Sequence, residues 1–201
     1  MSWLPWKESK PQVFVCHVMG SGESREKWLG LSLEAWSKFD VPVKLLMPDG
    51  RINSIEFQRQ RRIEAERQSR EDFYILADDD CLPIGQSDYL LKGIEILKRH
   101  PEFAILSPLP SNESIVEWTP AQEDNYTAFK DGEVFEHVSV GGIRFCRKGA
   151  MADWPPMGEG KKDYDRTQGD FLRLQGKRVG YMRYLKFEHL GKGVSTVWEL
   201  V

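Results

Sequence analysis

The chain predicts an α/β fold, a mainly parallel central sheet flanked by helices, on three observations. Short β-branched or aromatic runs alternate with longer segments of helical periodicity as far as residue 107. The apolar runs end on a breaker or on charge. After residue 108 the texture turns polar and turn-rich, with a small additional β element in the second half.

The elements follow in order. QVFVCHV (12–18) is a strand that stops at MGSGES. Ser24 is placed to cap the next helix, where Trp28, Leu31 and Ala35 recur beside Leu29, Leu33 and Trp36, so a wide face is expected to be buried. VPVKLLM (41–47) is a second strand, stopped by PDG. A charged helix runs from about Ile52 to Arg70. Within it RQRRIEAERQSR intersperses glutamates among Arg59, Arg61, Arg62, Arg67 and Arg70, which predicts a solvated face. That face is also open to a second use, as a guide for an anionic acceptor. FYILA (73–77) is the third strand, Leu90, Ile94 and Leu97 mark an amphipathic helix ended by RHPE, and FAILS (103–107) is a fourth strand. VFEHVSV and IRFCRK read as strands around Gly141–Gly142, a helix covers Arg166 to Gln175, and RVGYMRYLKF closes the sheet.

Composition bounds the class. A length of 201 residues with 40% apolar and 29% charged residues fits one globular domain. No run approaches the ~18 apolar residues of a membrane span. MSWLPWKESK lacks the apolar core of a secretory signal, so the expected compartment is the cytoplasm. Cys16, Cys81 and Cys146 are widely spaced and odd in number, as reduced thiols are. A net charge of −3 excludes a chain built as a whole to sit on nucleic acid.

FYILADDDCLP (73–83) is the chemical centre of the sequence. In an open α/β sheet, ligands bind beyond the carboxyl ends of the parallel strands, and Asp78, Asp79 and Asp80 stand at such an end. Extended geometry sends Asp78 and Asp80 to one side and Asp79 to the other, with their Cα atoms ~7 Å apart. Carboxylates so crowded repel unless a cation lies between them, and oxygen ligands suit Mg²⁺ or Mn²⁺. A solvated turn is the competing reading, since aspartate and proline favour turns.

The triplet and its surroundings resemble the GT-A glycosyltransferases, family 2 in style, whose Asp-x-Asp motif follows an apolar strand and precedes a proline. GGIRFCRKGAM (141–151) is similar to that family's strand on the acceptor side. DYDRTQGDFLRLQGKRVGYMRYLKFEHLGKG (163–193) resembles its stretch in which an acidic residue opens a helix, a glycine ends it and a histidine closes the site. The family spacing, eleven positions before the glycine and thirteen after it, gives Asp165, Gly176 and His189.

The resemblance implies a single GT-A domain over residues 1–201, with a nucleotide-sugar half (1–107) and an acceptor half (108–201). It implies Asp78, Asp80 and His189 as metal ligands, Asp165 as general base, and Asp49, Asp78 and Asp79 facing the nucleotide. The implied cofactors are Mn²⁺ or Mg²⁺ and a nucleoside-diphosphate sugar, a UDP-sugar first among them. The implied partner is a hydroxyl-bearing acceptor: a small molecule, a glycan, a protein or modified nucleic acid. The implied reaction is an inverting transfer.

The residues themselves leave alternatives open. Asp165 also suits a helix N-cap, and Asp163 competes for both roles. His189 also suits a satisfied, half-buried side chain. Trp118, Trp154 and Trp198 suit either sugar stacking or packing. A sugar-nucleotide nucleotidyltransferase and a non-catalytic GT-A-like binding module are the other classes. The sequence departs from the family pattern in CHVMGSGES after the first strand and in DYD where a Glu-Asp pair is usual.

Overall fold

The structure, a computed structural model, describes residues 10–17, 23–46, 55–111, 132–156 and 164–191. Asp49, Asp163, Trp118, Trp198 and the side chain of Ser24 lie outside the described residues.

The first half alternates as expected: β1 (Gln12–Cys16), α1 (Glu23–Ser37), β2 (Val43–Leu46), α2 (Ile55–Gln68) and β3 (Phe73–Asp78). Then come β4 (Cys81–Ile84), α3 (Tyr89–Arg99), β5 (Phe103–Pro110), β6 (Val134–Glu136), β7 (Ile143–Arg147), α4 (Tyr164–Leu174) and β8 (Arg178–His189). One eight-stranded sheet results, ordered β2-β1-β3-β7-β5-β8-β4, with β6 pairing β8. β2, β1, β3, β5 and β8 share one direction, while β7, β4 and β6 run against them. β7 is buried from Ile143 to Cys146, as its central place demands, and a run buried on both faces carries no mark of its direction.

Period-two alternation assigns the two faces. Val13, Val15, Ile75 and Ala77 pack with Trp36 of α1 and Tyr89 and Leu97 of α3. Phe14, Cys16, Tyr74 and Leu76 pack with Ile63 of α2 and Leu172 of α4 on the other side. Helices therefore cover both faces.

Four local expectations need correction. β4 reads as a turn in the sequence because it is short and contains Pro83; at the end of the sheet order a proline costs little. VFEHVSV pairs only over Val134–Glu136. α1 buries a narrower face than expected: Ser32 and Trp36 are buried, but Leu31 is exposed. The arginine-rich helix is not solvated, since Arg59, Arg61, Arg62 and Glu66 are all buried. Arg59 donates to Glu56 and to the Trp154 carbonyl, and Arg61 to the carbonyl of His17. Carbonyls of His17 and Trp154 and the Asp165 carboxylate, all brought by distant segments, draw these guanidiniums inward, which a local charge pattern cannot reveal. Only Arg67 and Arg70 of the run are exposed, too few for an acceptor-guiding face.

α4 ends in a Schellman turn. The Lys177 amide donates to the Leu172 carbonyl at 3.0 Å and the Gly176 amide to Arg173 at 2.9 Å, with Gly176 at φ 72°. The same helix packs at backbone distance: a Cβ on Gly169 would lie 2.0 Å from the Val138 carbonyl oxygen. Gly169→Ala is therefore expected to cost about 1–3 kcal/mol in urea unfolding. Gly30→Ala, where a Cβ meets nothing within 4 Å on helix α1, is expected to stabilise by about 0.5–1 kcal/mol.

Candidate active site

β3 delivers Asp78 at its last position, and the chain turns immediately through Asp79 and Asp80 into β4. The turn ends the extended alternation at Asp78, so the expected split of the triplet is replaced by another. Asp78 faces one set of partners, while Asp79 and Asp80 both reach Arg25, at 2.7 and 3.2 Å.

Asp78 meets Arg144 of β7 in a two-pronged pair, Nη1 to Oδ1 and Nη2 to Oδ2, each 3.1 Å. The Gly142 amide adds a donor to Oδ2 at 3.2 Å. Burial alone would lift the Asp78 carboxyl, but Arg144, then Arg62, and His189 as well, hold it below the usual carboxylate range. Arg144 is 1% exposed, and its Nη2 also donates to Asp165 Oδ1 at 3.0 Å. Arg62 of α2 donates to that same oxygen at 2.9 Å and to Gln168 at 2.5 Å. Asp165 stands in the first turn of α4, so its helix position and its place opposite Asp78 coincide. A Cβ on Gly141 would come within 3.2 Å of Asp165 Oδ2, the oxygen turned away from the arginines.

Asp80 is held differently. Antiparallel pairing sets Cys81 of β4 opposite His189 of β8, and the Leu190 amide donates to the Asp80 carbonyl at 2.7 Å. His189 Nε2 lies 3.4 Å from Asp80 Oδ2, and the Cys81 thiol contacts Oδ1 at 3.5 Å. These three side chains offer ligand atoms that all lie within 4.8 Å of one another, a donor set fit for a divalent ion. Asp78 is outside that group. A Cβ on Gly191 would sit 2.4 Å from Asp80 Oδ2, so glycine there keeps the carboxylate in place. Burial and the Asp80 and Asp78 carboxylates push the Cys81 thiol well above its usual range. Asp79 is fully buried between Arg25 and His17, whose Nδ1 is 2.6 Å from Oδ2.

The sequence-predicted Asp78, Asp80, Asp165 and His189 thus assemble at one end of the sheet. Arg25, Arg62, Arg144, His17, Cys81 and Gly191 join them without having been predicted. Arg144 carried a signal, being a cation inside the apolar run Ile143–Cys146 that only an acid partner justifies. Trp154 packs in the core against Phe171.

No profile of a known protein family matches the sequence, and no curated protein matches it. Solved structures do. The mannosyltransferase PcManGT from Pyrobaculum calidifontis, in complex with GDP-Man and Mn²⁺, superposes with a TM-score of 0.60 at 10% identity, over 96% of this chain and 62% of that one. S. aureus TarS 1-349 gives 0.56 at 13% identity, over 88% and 60%. GalNAc-T7 with UDP, GalNAc and Mn²⁺ gives 0.53 at 12% identity, over 91% and 44%. At such identities the likeness establishes the GT-A-like fold, as the sequence led us to expect. The chain spans about three fifths of the length of the first two and less than half of the third. Among the described residues no helix is long and apolar enough to cross a membrane.

The Arg144 pairing has a pH signature. Because the Asp78 carboxyl is held low in the folded chain, its contribution is complete above the unfolded value of about 4 and is lost as pH falls through the native value. Arg144→Met is expected to cost about 3 kcal/mol near neutral pH, since it strands the Asp78 carboxylate while Asp165 keeps Arg62. The same variant should flatten the acid limb of stability against pH in chemical denaturation, relative to the parent chain.

Proposed function

We propose that this chain is a metal-dependent, inverting glycosyltransferase that moves a sugar from a nucleoside-diphosphate donor, a UDP-sugar first among candidates, to a hydroxyl acceptor. The observation that carries this reading is the meeting of two paired acids beyond the end of β3: Asp80 with His189, and Asp78 with Asp165 through Arg144. The neighbours crystallised with GDP-Man or with UDP and Mn²⁺ share the fold and support the donor class.

Asp80 and His189 are the residues to hold the ion, with Asp78 beside them. When bound, Mn²⁺ or Mg²⁺ supplies a Lewis acid that steadies the negative charge of the departing diphosphate. Asp165 is the general base. Arg62 and Arg144 fix it through Oδ1, and Oδ2 takes the proton from the acceptor hydroxyl as that oxygen attacks the anomeric carbon. A single base acting without a covalent nucleophile gives inversion. Asp78 borders the nucleotide side and Asp79 serves it by holding Arg25, while Asp49 is assigned to the base of the nucleotide. Residues 1–107 form the donor half and 108–201 the acceptor half of one domain, which acts in the cytoplasm.

A panel of nucleotide sugars with Mn²⁺, followed by thermal shift and slow donor hydrolysis, tests this. Free nucleoside diphosphate is the expected product; pyrophosphate would instead mark nucleotidyl transfer. Asp165→Asn is expected to keep the donor-dependent shift and lose at least ~100-fold in turnover. Asp80→Ala should stay folded and lose the metal-dependent shift. Unchanged donor binding in that variant would refute the assignment.

A further inference from the structure

Cys81 has no place in the mechanism above, yet its sulfur lies inside the site. It contacts Asp80 Oδ1 at 3.5 Å, and a Cβ built on Gly142 would approach it to 3.2 Å. It therefore points along the seam between Asp80 and the Gly142 turn that also binds Asp78. Its registered partner across the antiparallel pair is His189. Directly opposed residues project from the same face of a sheet, with Cβ atoms ~5 Å apart, so the thiol and the imidazole converge. Carboxylate, thiol and imidazole atoms fall within 4.8 Å of one another. A tetrahedral ion with bonds of ~2.0–2.3 Å needs ligand atoms about 3.5 Å apart, within reach of small side-chain rotations.

We propose that Cys81 is a ligand to the same ion as Asp80 and His189, making an oxygen, sulfur and nitrogen site that selects a borderline ion such as Zn²⁺ or Co²⁺ over Mg²⁺. The inference rests on the metal site of the proposed function and departs from it in one respect, the exclusion of Mg²⁺ as the preferred ion. Asp78 does not complete this set, because both its oxygens are engaged by Arg144 and the Gly142 amide. Magnesium requires oxygen ligands in near-ideal octahedral array, whereas thiolate and imidazole favour softer ions. On binding, the thiol proton passes to solvent and a sulfur lone pair goes to the ion; nothing is oxidised. Half-buried His189, at 30% side-chain exposure, marks the side from which the ion arrives, since Asp80 is only 5% exposed. A small residue that merely fills the core is the competing account of Cys81, which also borders the apolar cluster around Phe187.

Titration of the intact protein with Co²⁺, alone and then with UDP, separates these accounts by absorption. The expected result is a near-ultraviolet thiolate-to-cobalt charge-transfer band that Cys81→Ser and Asp80→Ala abolish and that Cys16→Ser and Cys146→Ser retain. Zn²⁺ should displace Co²⁺ from the site, and excess Mg²⁺ should not. Visible cobalt bands without the charge-transfer band would show an ion bound without sulfur, overturning this inference while leaving the proposed function standing. A charge-transfer band that survives Cys81→Ser would equally overturn it. No cobalt bands with or without UDP would remove the metal reading and this inference together. If Cys81→Ser fails to fold, as judged by circular dichroism, cadmium NMR of the parent chain decides: a sulfur-ligated shift supports the proposal, and an oxygen- and nitrogen-only shift overturns it.

Discussion

The site is organised by one buried guanidinium. Arg144 has almost no contact with solvent, and it spends its donors on Asp78, Asp165 and the carbonyls of Val140 and Gly142. Moving such a cation out of water costs several kcal/mol, so it is tolerated only where acceptors surround it. In meeting that demand the fold ties β3, β7 and α4 together at one point. The antiparallel insertion of β7 between β3 and β5 is what delivers the arginine there, because it places Arg144 opposite Leu76 and the Gly142 turn beside Asp78.

Three consecutive aspartates are compatible with folding because each is answered by the protein's own cations. Asp78 is answered by Arg144, Asp79 by Arg25 and His17, and Asp80 by Arg25 and His189. The turn at Asp79–Asp80 makes this possible, since it leaves Asp78 with Arg144 of β7 and brings Asp79 and Asp80 together onto Arg25 of α1 instead of sending them to alternate faces. Neutralisation by the protein's own cations is thus substantial before any ion arrives. What distinguishes Asp80 is that its histidine is only half-buried and 3.4 Å away, so in the proposed site the two side chains can turn to a shared ion.

How far the sequence disclosed this depends on the kind of signal. Helix periodicity and β-branched runs report burial over a few residues, and they placed β1, β2, β3, α3 and β8 correctly to within a residue or two, whereas β5 runs on to Pro110, three residues past its expected end. The acidic end of β3 was legible because three like charges after an apolar strand demand an explanation. The spacing through Gly176, which ends α4 in a left-handed turn, brought Asp165 and His189 into the account. The cations were not legible. Arg62 and Arg25 lie among other charged residues, and nothing local distinguishes a guanidinium that reaches Asp165, over a hundred positions away in sequence, from one that faces water. Cys81 and β4 were obscured by a proline that ordinarily marks a turn, though at a sheet edge it marks only a missing donor.

The same distinction explains why the arginine helix changed its meaning between sequence and structure. Interspersed acids and bases on a helix usually signal a wet surface, because each charge then finds a neighbour one turn away. In α2 that holds for Arg59 with Glu56, but Arg61 and Arg62 look inward, to the His17 carbonyl and to Asp165. His17 in turn holds Asp79. A helix that would otherwise be interchangeable decoration therefore braces both halves of the acidic site, through the residue that follows β1 and through the first turn of α4. Such bracing keeps the carboxylates at fixed separation, which is what the proposed reaction asks of them.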